Sequence, residues 1–337
     1  MSTGPATTRW FAGAPVTTLG ADHSELLRWA AARLGTPRLD PVPGTTKERH
    51  WSFVTASDTD QGRVWIKADA RGFAHEVAIV DLVTAARIDA VEPPLALDVD
   101  RGWLLLPDGG PTLRTLGAVG ASVWRDLLTR YARVQLRLVG LADAAARAGV
   151  PDMRGRLSLT VLDPAVAAAA DPEIHGPHRL TEAESAHILA LRPVLTEVAD
   201  RLAESPLSPT LEHNDPHPGN VFARSGTLFD WADAVVGHPF LGLANALPHA
   251  AVDVGLPIGS PELAALTTAY LGRFADSADP SRLTEDAAAA AVLSHLPRAG
   301  AWLRMVPAGR RDFPAVLPDR LRALHEATVR WTQAVQD

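Results

Sequence analysis

Leu211-Glu212-His213-Asn214-Asp215-Pro216-His217-Pro218-Gly219-Asn220, running on through Val221-Phe222-Ala223-Arg224 to Leu228-Phe229-Asp230-Trp231, is the stretch that decides how this chain is read. It reads as strand, tight loop, strand, turn, strand. Asp215 and Asn220 stand five residues apart in the loop, and Asp230 follows ten residues after Asn220. Ser225-Gly226 supplies a turn that folds the two apolar runs back on each other and carries Asp230 toward Asn220. Phosphoryl transfer from ATP needs this set of groups. One carboxylate orients or deprotonates an acceptor hydroxyl, while an amide oxygen and a second carboxylate hold Mg2+ on the phosphates. A Pro- and Gly-rich string of this kind is also an ordinary turn former when it stands alone. The flanking strands argue against that plain reading, as does asparagine usage. Only Asn214, Asn220 and Asn245 occur in 337 residues, and two of the three lie in this loop.

The pattern His213-x-Asp215-x4-Asn220 with a distal Asp230-Trp231 resembles the aminoglycoside phosphotransferase family, the small-molecule branch of the protein-kinase-like fold. On that match Asp215 is the catalytic base, and Asn220 and Asp230 are the metal ligands. The continuation Trp231-Ala232-Asp233-Ala234-Val235-Val236-Gly237-His238-Pro239 is similar to the family's Asp-Trp-x-x-Ala-x-x-Gly-Asp-Pro run, with His238 at the usual acidic position. A second departure is Asn214, where the family usually carries glycine and protein kinases carry arginine.

Upstream, Trp51–Thr55 and Arg63–Lys67 are β-rich runs joined by a polar turn over 57–62, as in a hairpin. A helical stretch from Ala74 to Arg87 and a further strand over Gly102–Leu106 follow. That strand ends at Pro107-Asp108-Gly109-Gly110-Pro111. An amphipathic helix over 22–34 precedes them, its apolar positions Leu26, Leu27, Ala30, Ala31 and Leu34 spaced for one face. This order resembles the small lobe of a kinase and its hinge. After residue 112 the chain is Ala-rich and helical over 122–148, 181–204, 240–274 and 284–336. The expected architecture is therefore α+β, a protein-kinase-like two-lobed fold. The nucleotide-binding lobe spans 1–107, and the helical lobe with catalytic loop and acceptor site spans 108–337.

Lys67 ends a strand, and Glu76 lies nine residues on, near the start of the following helix. In kinase logic such a lysine holds the α- and β-phosphates and is fixed by a glutamate of that helix. Most lysines are solvated surface, but of 32 basic residues only Lys47 and Lys67 are lysine, so this chain hardly uses lysine as surface filler. Asp69 and Glu92 are alternatives to Glu76. Adenine is expected on the connector, with the Pro107 carbonyl accepting and the Gly109 N–H donating, since proline has no N–H. The phosphate-covering turn is unassigned. Pro43–His50 holds one glycine and no Gly-x-Gly-x-x-Gly, leaving Thr45 and Thr46 as candidates.

A net charge of −7 argues against a non-specific nucleic-acid binder and favours a small-molecule acceptor, with an acidic surface suited to a cationic one. Asp253, Glu262, Glu285 and Asp286 are candidates to hold an amine; Asp233 and His238 could face the site or cap the next helix, and Arg298, Trp302 and Arg304 could line a pocket, though a core tryptophan with surface arginines is the plainer reading. With no cysteine, thiol and disulfide chemistry is excluded. Met1–Pro15 lacks the basic and apolar regions of a signal peptide, and no run of about 18 apolar residues suggests a membrane span, so a cytoplasmic protein is expected. Two other readings compete with an ATP- and Mg2+-dependent kinase. One is a catalytically silent kinase-like binding protein. The other is a metal-dependent hydrolase built on His213, Asp215, His217, Asp230, Asp233 and His238.

Overall fold

A computed structural model describes residues 23–49, 51–305 and 315–336. Met1–Pro15, Asp22 and His50 lie outside the described residues. The first helix, α1 (His23–Leu34), turns Leu26, Ala30 and Ala31 inward. A five-stranded antiparallel sheet follows: β1 (Lys47–Glu48), β2 (Ser52–Thr59), β3 (Gly62–Asp69), β4 (Ala96–Asp98) and β5 (Trp103–Pro107), in the order β1-β2-β3-β5-β4. The β2–β3 strands run longer than the sequence suggests. Residues 57–59 continue the ladder, and the chain reverses between Thr59 and Gly62. Strands β1 and β4, of two and three residues, are too short to leave a pattern in the sequence.

Alternation along β3 assigns its two faces. Val64, Ile66 and Ala68 share a small core with Phe53, Trp103, Leu105 and the buried side of α1. Lys67 pairs in register with Leu104, and both therefore face the opposite way. On that side lies α2 (His75–Ala85), whose Val77, Ile79, Val80 and Val83 join Leu104 in the large core of the helical lobe. One sheet face is thus closed by α1 and the other by α2 and the body of the protein.

The rest is mainly helical, with helices over Ala121–Leu138, Arg192–Ala203, Leu241–Val254, Pro261–Leu271, Pro280–Leu293, His295–Met305 and Val316–Gln336 among them. The fold is thus a small antiparallel-sheet lobe beside a larger helical one, as the sequence predicts. Within the helical lobe a two-stranded ladder, β6 (Thr210–Glu212) with β7 (Val235–Gly237), pins both ends of the 213–234 segment. The hairpin expected over 221–231 is reduced to the bridge Val221–Leu228, with Gly226 N–H donating to the Phe222 carbonyl at 2.8 Å. A 3-10 turn at Pro218–Asn220 and a left-handed Asp230 (φ 64°) interrupt extended backbone on either side.

Candidate active site

Lys67 reaches across the cleft. Its ammonium bonds Glu76 directly, lies 2.9 Å from Asp230 Oδ1 and 3.5 Å from Asp69 Oδ1. Burial alone would lower its pKa, but Asp230, Asp69 and Glu76 together hold it well above the usual lysine value. Lys67 is therefore a permanent cation. Glu76, not Glu92, is the helix partner, since Glu92 accepts instead from the Thr227 hydroxyl at 2.9 Å. The second Glu76 oxygen accepts from Trp231 N–H at 3.2 Å, so one carboxylate ties β3, α2 and the Asp230 turn together. Asp69 has no hydrogen bond to either buried oxygen, and burial pushes its carboxyl well up toward the neutral acid.

Asp230 stands where the chain turns left-handed, with 52% of its side chain exposed while that of Lys67 is only 11% exposed. Lys67 lowers its pKa against the opposing effect of burial. Asn220 is held from behind: its amide Nδ2 donates to the Asp215 carbonyl at 3.1 Å, and its own carbonyl accepts from Phe229 N–H at 3.1 Å. That leaves the side-chain oxygen available to a ligand. An amide oxygen and an ionised, half-exposed carboxylate are hard oxygen donors of the kind Mg2+ takes.

Asp215 opens the same loop. His217 Nε2 and His249 Nε2 stand 3.6 Å from its two carboxylate oxygens, and Arg298 Nη1 stands 3.9 Å from one of them. Burial would raise its pKa, but these neighbours hold the carboxyl far below the ordinary range. Asp215 is thus an ionised acceptor suited to orienting a hydroxyl. His213 is structural. Its Nε2–H donates to the Phe229 carbonyl at 3.0 Å while Nδ1 accepts from Asp215 N–H at 3.4 Å. Burial keeps it neutral by lowering its pKa, which suits that tautomer.

Asn214 adopts φ 66°, a conformation that glycine takes freely and asparagine tolerates. Its side chain donates to the Asp233 carbonyl at 3.2 Å and accepts from Asn245 at 2.8 Å. The departure from glycine therefore leaves the loop on course and adds two bonds. Beneath it lies Glu212, a neighbour that sequence reasoning missed. The buried carboxylate accepts from Tyr131, from Gln135 at 2.6 Å and from Asn214 N–H at 3.0 Å, and burial lifts its pKa to about 7 despite these donors. Tyr270 OH completes the network, 2.5 Å from Gln135 Oε1. The available signal was Gln135 itself, a polar residue amid Leu128, Tyr131, Ala132 and Leu138 on a buried helix face.

The connector runs against the catalytic loop. Leu113 N–H donates to the Val221 carbonyl, Arg114 N–H to Pro218 and Ala223 N–H to the Pro111 carbonyl, all within 3.0 Å. Pro107 ends β5 opposite Val64, and a Cβ on Gly109 would meet the Phe222 ring at 2.5 Å. Phe222 stacks on Phe229 with centroids 4.5 Å apart. The structure thus sets Gly109 beside an aromatic pair that the sequence reading did not single out.

Other expectations are corrected. The Thr45 hydroxyl donates to the Val42 carbonyl and accepts from Ala56 N–H, and the Thr46 hydroxyl bonds Thr55, so both are tied to β2 rather than free for phosphate. His238 is buried away from Asp215, with Nδ1 accepting from Phe240 N–H and Nε2 bonded to Ser205. Asp233 binds Arg298. With the ring nitrogens of His213 and His238 engaged in this way, the hydrolase constellation does not assemble. Among the described residues no three histidine or acidic side chains are placed to share one metal ion.

The site and the two lobes define a kinase-like phosphotransferase. The model of the phosphotransferase enzyme family (APH) matches residues 67–285, and the chain belongs to that family, a small-molecule kinase. Solved structures agree in fold. A choline kinase from Cryptosporidium parvum Iowa II is 13% identical with a TM-score of 0.59, covering 92% of this chain and 97% of its own. An amicoumacin kinase solved with AMP-PNP, Ca2+ and Ami is 13% identical with a TM-score of 0.59, covering 91% and 94%. An ethanolamine kinase from Plasmodium vivax is 13% identical with a TM-score of 0.57, covering 86% and 82%. No curated protein matches the sequence.

Proposed function

We propose that this protein transfers the γ-phosphoryl group of ATP to a hydroxyl of a small molecule. The observation that carries this is the meeting of Lys67, Glu76 and Asp230, drawn from positions up to 163 residues apart, beside the loop of Asp215 and Asn220. Lys67, fixed by Glu76, takes the α- and β-phosphates. The adenine lies on the Pro107–Gly109 connector, with Phe222 closing the pocket from below. Asn220 and Asp230 hold Mg2+, which when bound neutralises phosphate charge. Asp215 accepts the hydrogen bond of the acceptor hydroxyl and aims its oxygen at the γ-phosphorus; as that O–P bond forms, the bond from the γ-phosphorus to the β,γ-bridging oxygen breaks, ADP leaves, and the hydroxyl proton passes to Asp215. The amicoumacin kinase complex with AMP-PNP and Ca2+ supports a nucleotide with a divalent cation.

The same reading divides the lobes at residue 107. It also puts the enzyme in the cytoplasm, where ATP is, and among the described residues no helix is long and apolar enough to cross a membrane. A screen of alcohols with purified protein, reading ADP release, tests the proposal. Release that requires Mg2+ and one class of alcohol is expected, with the KM for ATP raised about tenfold or more in Lys67→Ala. ADP release unchanged by every alcohol, or by loss of Lys67, would count against it.

A further inference from the structure

Two imidazoles divide the carboxylate of Asp215 between them. His217 Nε2 stands 3.6 Å from Oδ2 and His249 Nε2 stands 3.6 Å from Oδ1, with the ring centroids 5.1 Å apart. They reach the carboxylate by different routes. His249 comes from the helix Leu241–Val254 and its side chain is 48% exposed, while His217 belongs to the catalytic loop itself and is 19% exposed.

The local sequence leaves the His217 ring little freedom. Pro218 disfavours helical backbone at the residue before it, and His217 is extended at φ −148° and ψ 164°. Its Nδ1 accepts from Gly219 N–H at 3.0 Å at the start of the Pro218–Asn220 turn. A backbone N–H can only donate, so Nδ1 carries no proton and the ring hydrogen is on Nε2, the nitrogen that faces Asp215. A Cβ at position 219 would lie 2.7 Å from His217 Cε1 and 2.9 Å from Nδ1, so glycine there is what lets the ring sit against the turn. The same turn holds the Asp215 main chain, whose carbonyl accepts from Asn220 Nδ2 at 3.1 Å.

The other carboxylate oxygen is less firmly held. Oδ1 meets only the half-exposed His249 and Arg298 Nη1 at 3.9 Å, and Arg298 is committed to Asp233. The helix that carries His249 is pinned one turn on. There Asp253, a candidate from the sequence to hold an amine, accepts instead from both Arg114 Nη atoms at 2.8 and 2.9 Å and from Trp124 Nε1 at 3.1 Å.

We infer that His217 is the positioning residue of the catalytic base: its Nε2–H fixes Oδ2 and so turns Oδ1, on the His249 side, toward the acceptor hydroxyl. The inference rests on the phosphotransferase reading of Asp215 and adds a residue outside the nucleotide and metal sets. At 3.6 Å the contact is longer than a formed hydrogen bond, and catalytic contacts of this kind often tighten only in the substrate complex. Misplacing a reacting group by an ångström costs on the order of 100-fold in rate, which sets the scale of the effect.

The two ring nitrogens can be tested apart. Asparagine places an amide oxygen near Nδ1, keeping the bond from Gly219 and losing the donor to Asp215. Glutamine places an amide nitrogen near Nε2 and loses the bond from Gly219. ADP release from Mg-ATP is measured on the full chain with water, glycerol, ethanolamine and D-ribose as acceptors, alongside thermal melts and the Kd for Mg–AMP-PNP. His217→Asn is expected to melt near the wild type and to bind Mg–AMP-PNP within about threefold of it, with kcat at saturating Mg-ATP down at least about 30-fold. His217→Gln should melt lower yet keep a kcat at least about threefold above that of His217→Asn. In an Asp215→Asn background, His217→Asn should change the residual rate by less than about threefold, because the histidine acts only through the carboxylate. A wild-type kcat in His217→Asn, a loss that persists in full in the Asp215→Asn background, or a glutamine variant no better than the asparagine one would overturn the inference. No ADP release by the wild type with any of these acceptors, water included, would overturn the phosphotransferase reading, and the inference with it.

Discussion

At Asn214 a single residue resolves a conflict between backbone and side chain. The loop needs φ 66° there, and the asparagine amide spends its polar atoms on Asp233 and Asn245. Glycine would keep the backbone and lose the bonds, whereas alanine would lose the bonds and resist the backbone as well. Asn214→Gly is expected to cost roughly 1–2 kcal/mol and Asn214→Ala about 1 kcal/mol more, measured by urea unfolding. Equal losses would mean that the left-handed conformation carries no weight. Lys67 shows the opposite kind of legibility. Its rarity and strand position were readable in the sequence, and Asp69 was readable as a nearby acid; that Lys67 sits among Glu76, Asp69 and Asp230 at once was not, because Asp230 lies 163 residues away.

Among the elements, the helix Leu241–Val254 sets the height of the catalytic loop through its second residue. A Cβ on Gly242 would lie 2.1 Å from Glu212 Oε1, inside the network of Tyr131, Gln135 and Tyr270. Gly242→Ala should therefore destabilise by at least about 2 kcal/mol, and the loss should be less than additive with Glu212→Gln, because both act on one contact. Fully additive losses from denaturant unfolding would contradict this placement. No sequence pattern foretold this contact. Gly242 follows the motif by several residues, and a glycine at the start of a helix reads as a boundary signal. The short strands β1 and β4 escaped notice for a related reason, since two or three residues carry no period.

Across the whole molecule, the order of elements was legible because each long helix and the β2, β3 and β5 strands carry their own hydrophobic period. The meeting of Lys67 with Glu76 was legible too, since both sit in motifs of fixed spacing. The acceptor half of the site was not. Arg298, which reaches both Asp233 and Asp215, comes from a C-terminal helix where arginine is common and no motif marks it. The central claim is that Asp215 serves the acceptor while Asn220 and Asp230 serve the metal and Lys67 the nucleotide. It is tested most directly by measuring Mg-ATP binding and turnover side by side in the wild type and Asp215→Asn. The predicted result is a turnover loss of at least about 100-fold with the Kd for Mg-ATP within about threefold of wild type. Binding and turnover falling together, or turnover surviving the substitution, would contradict it.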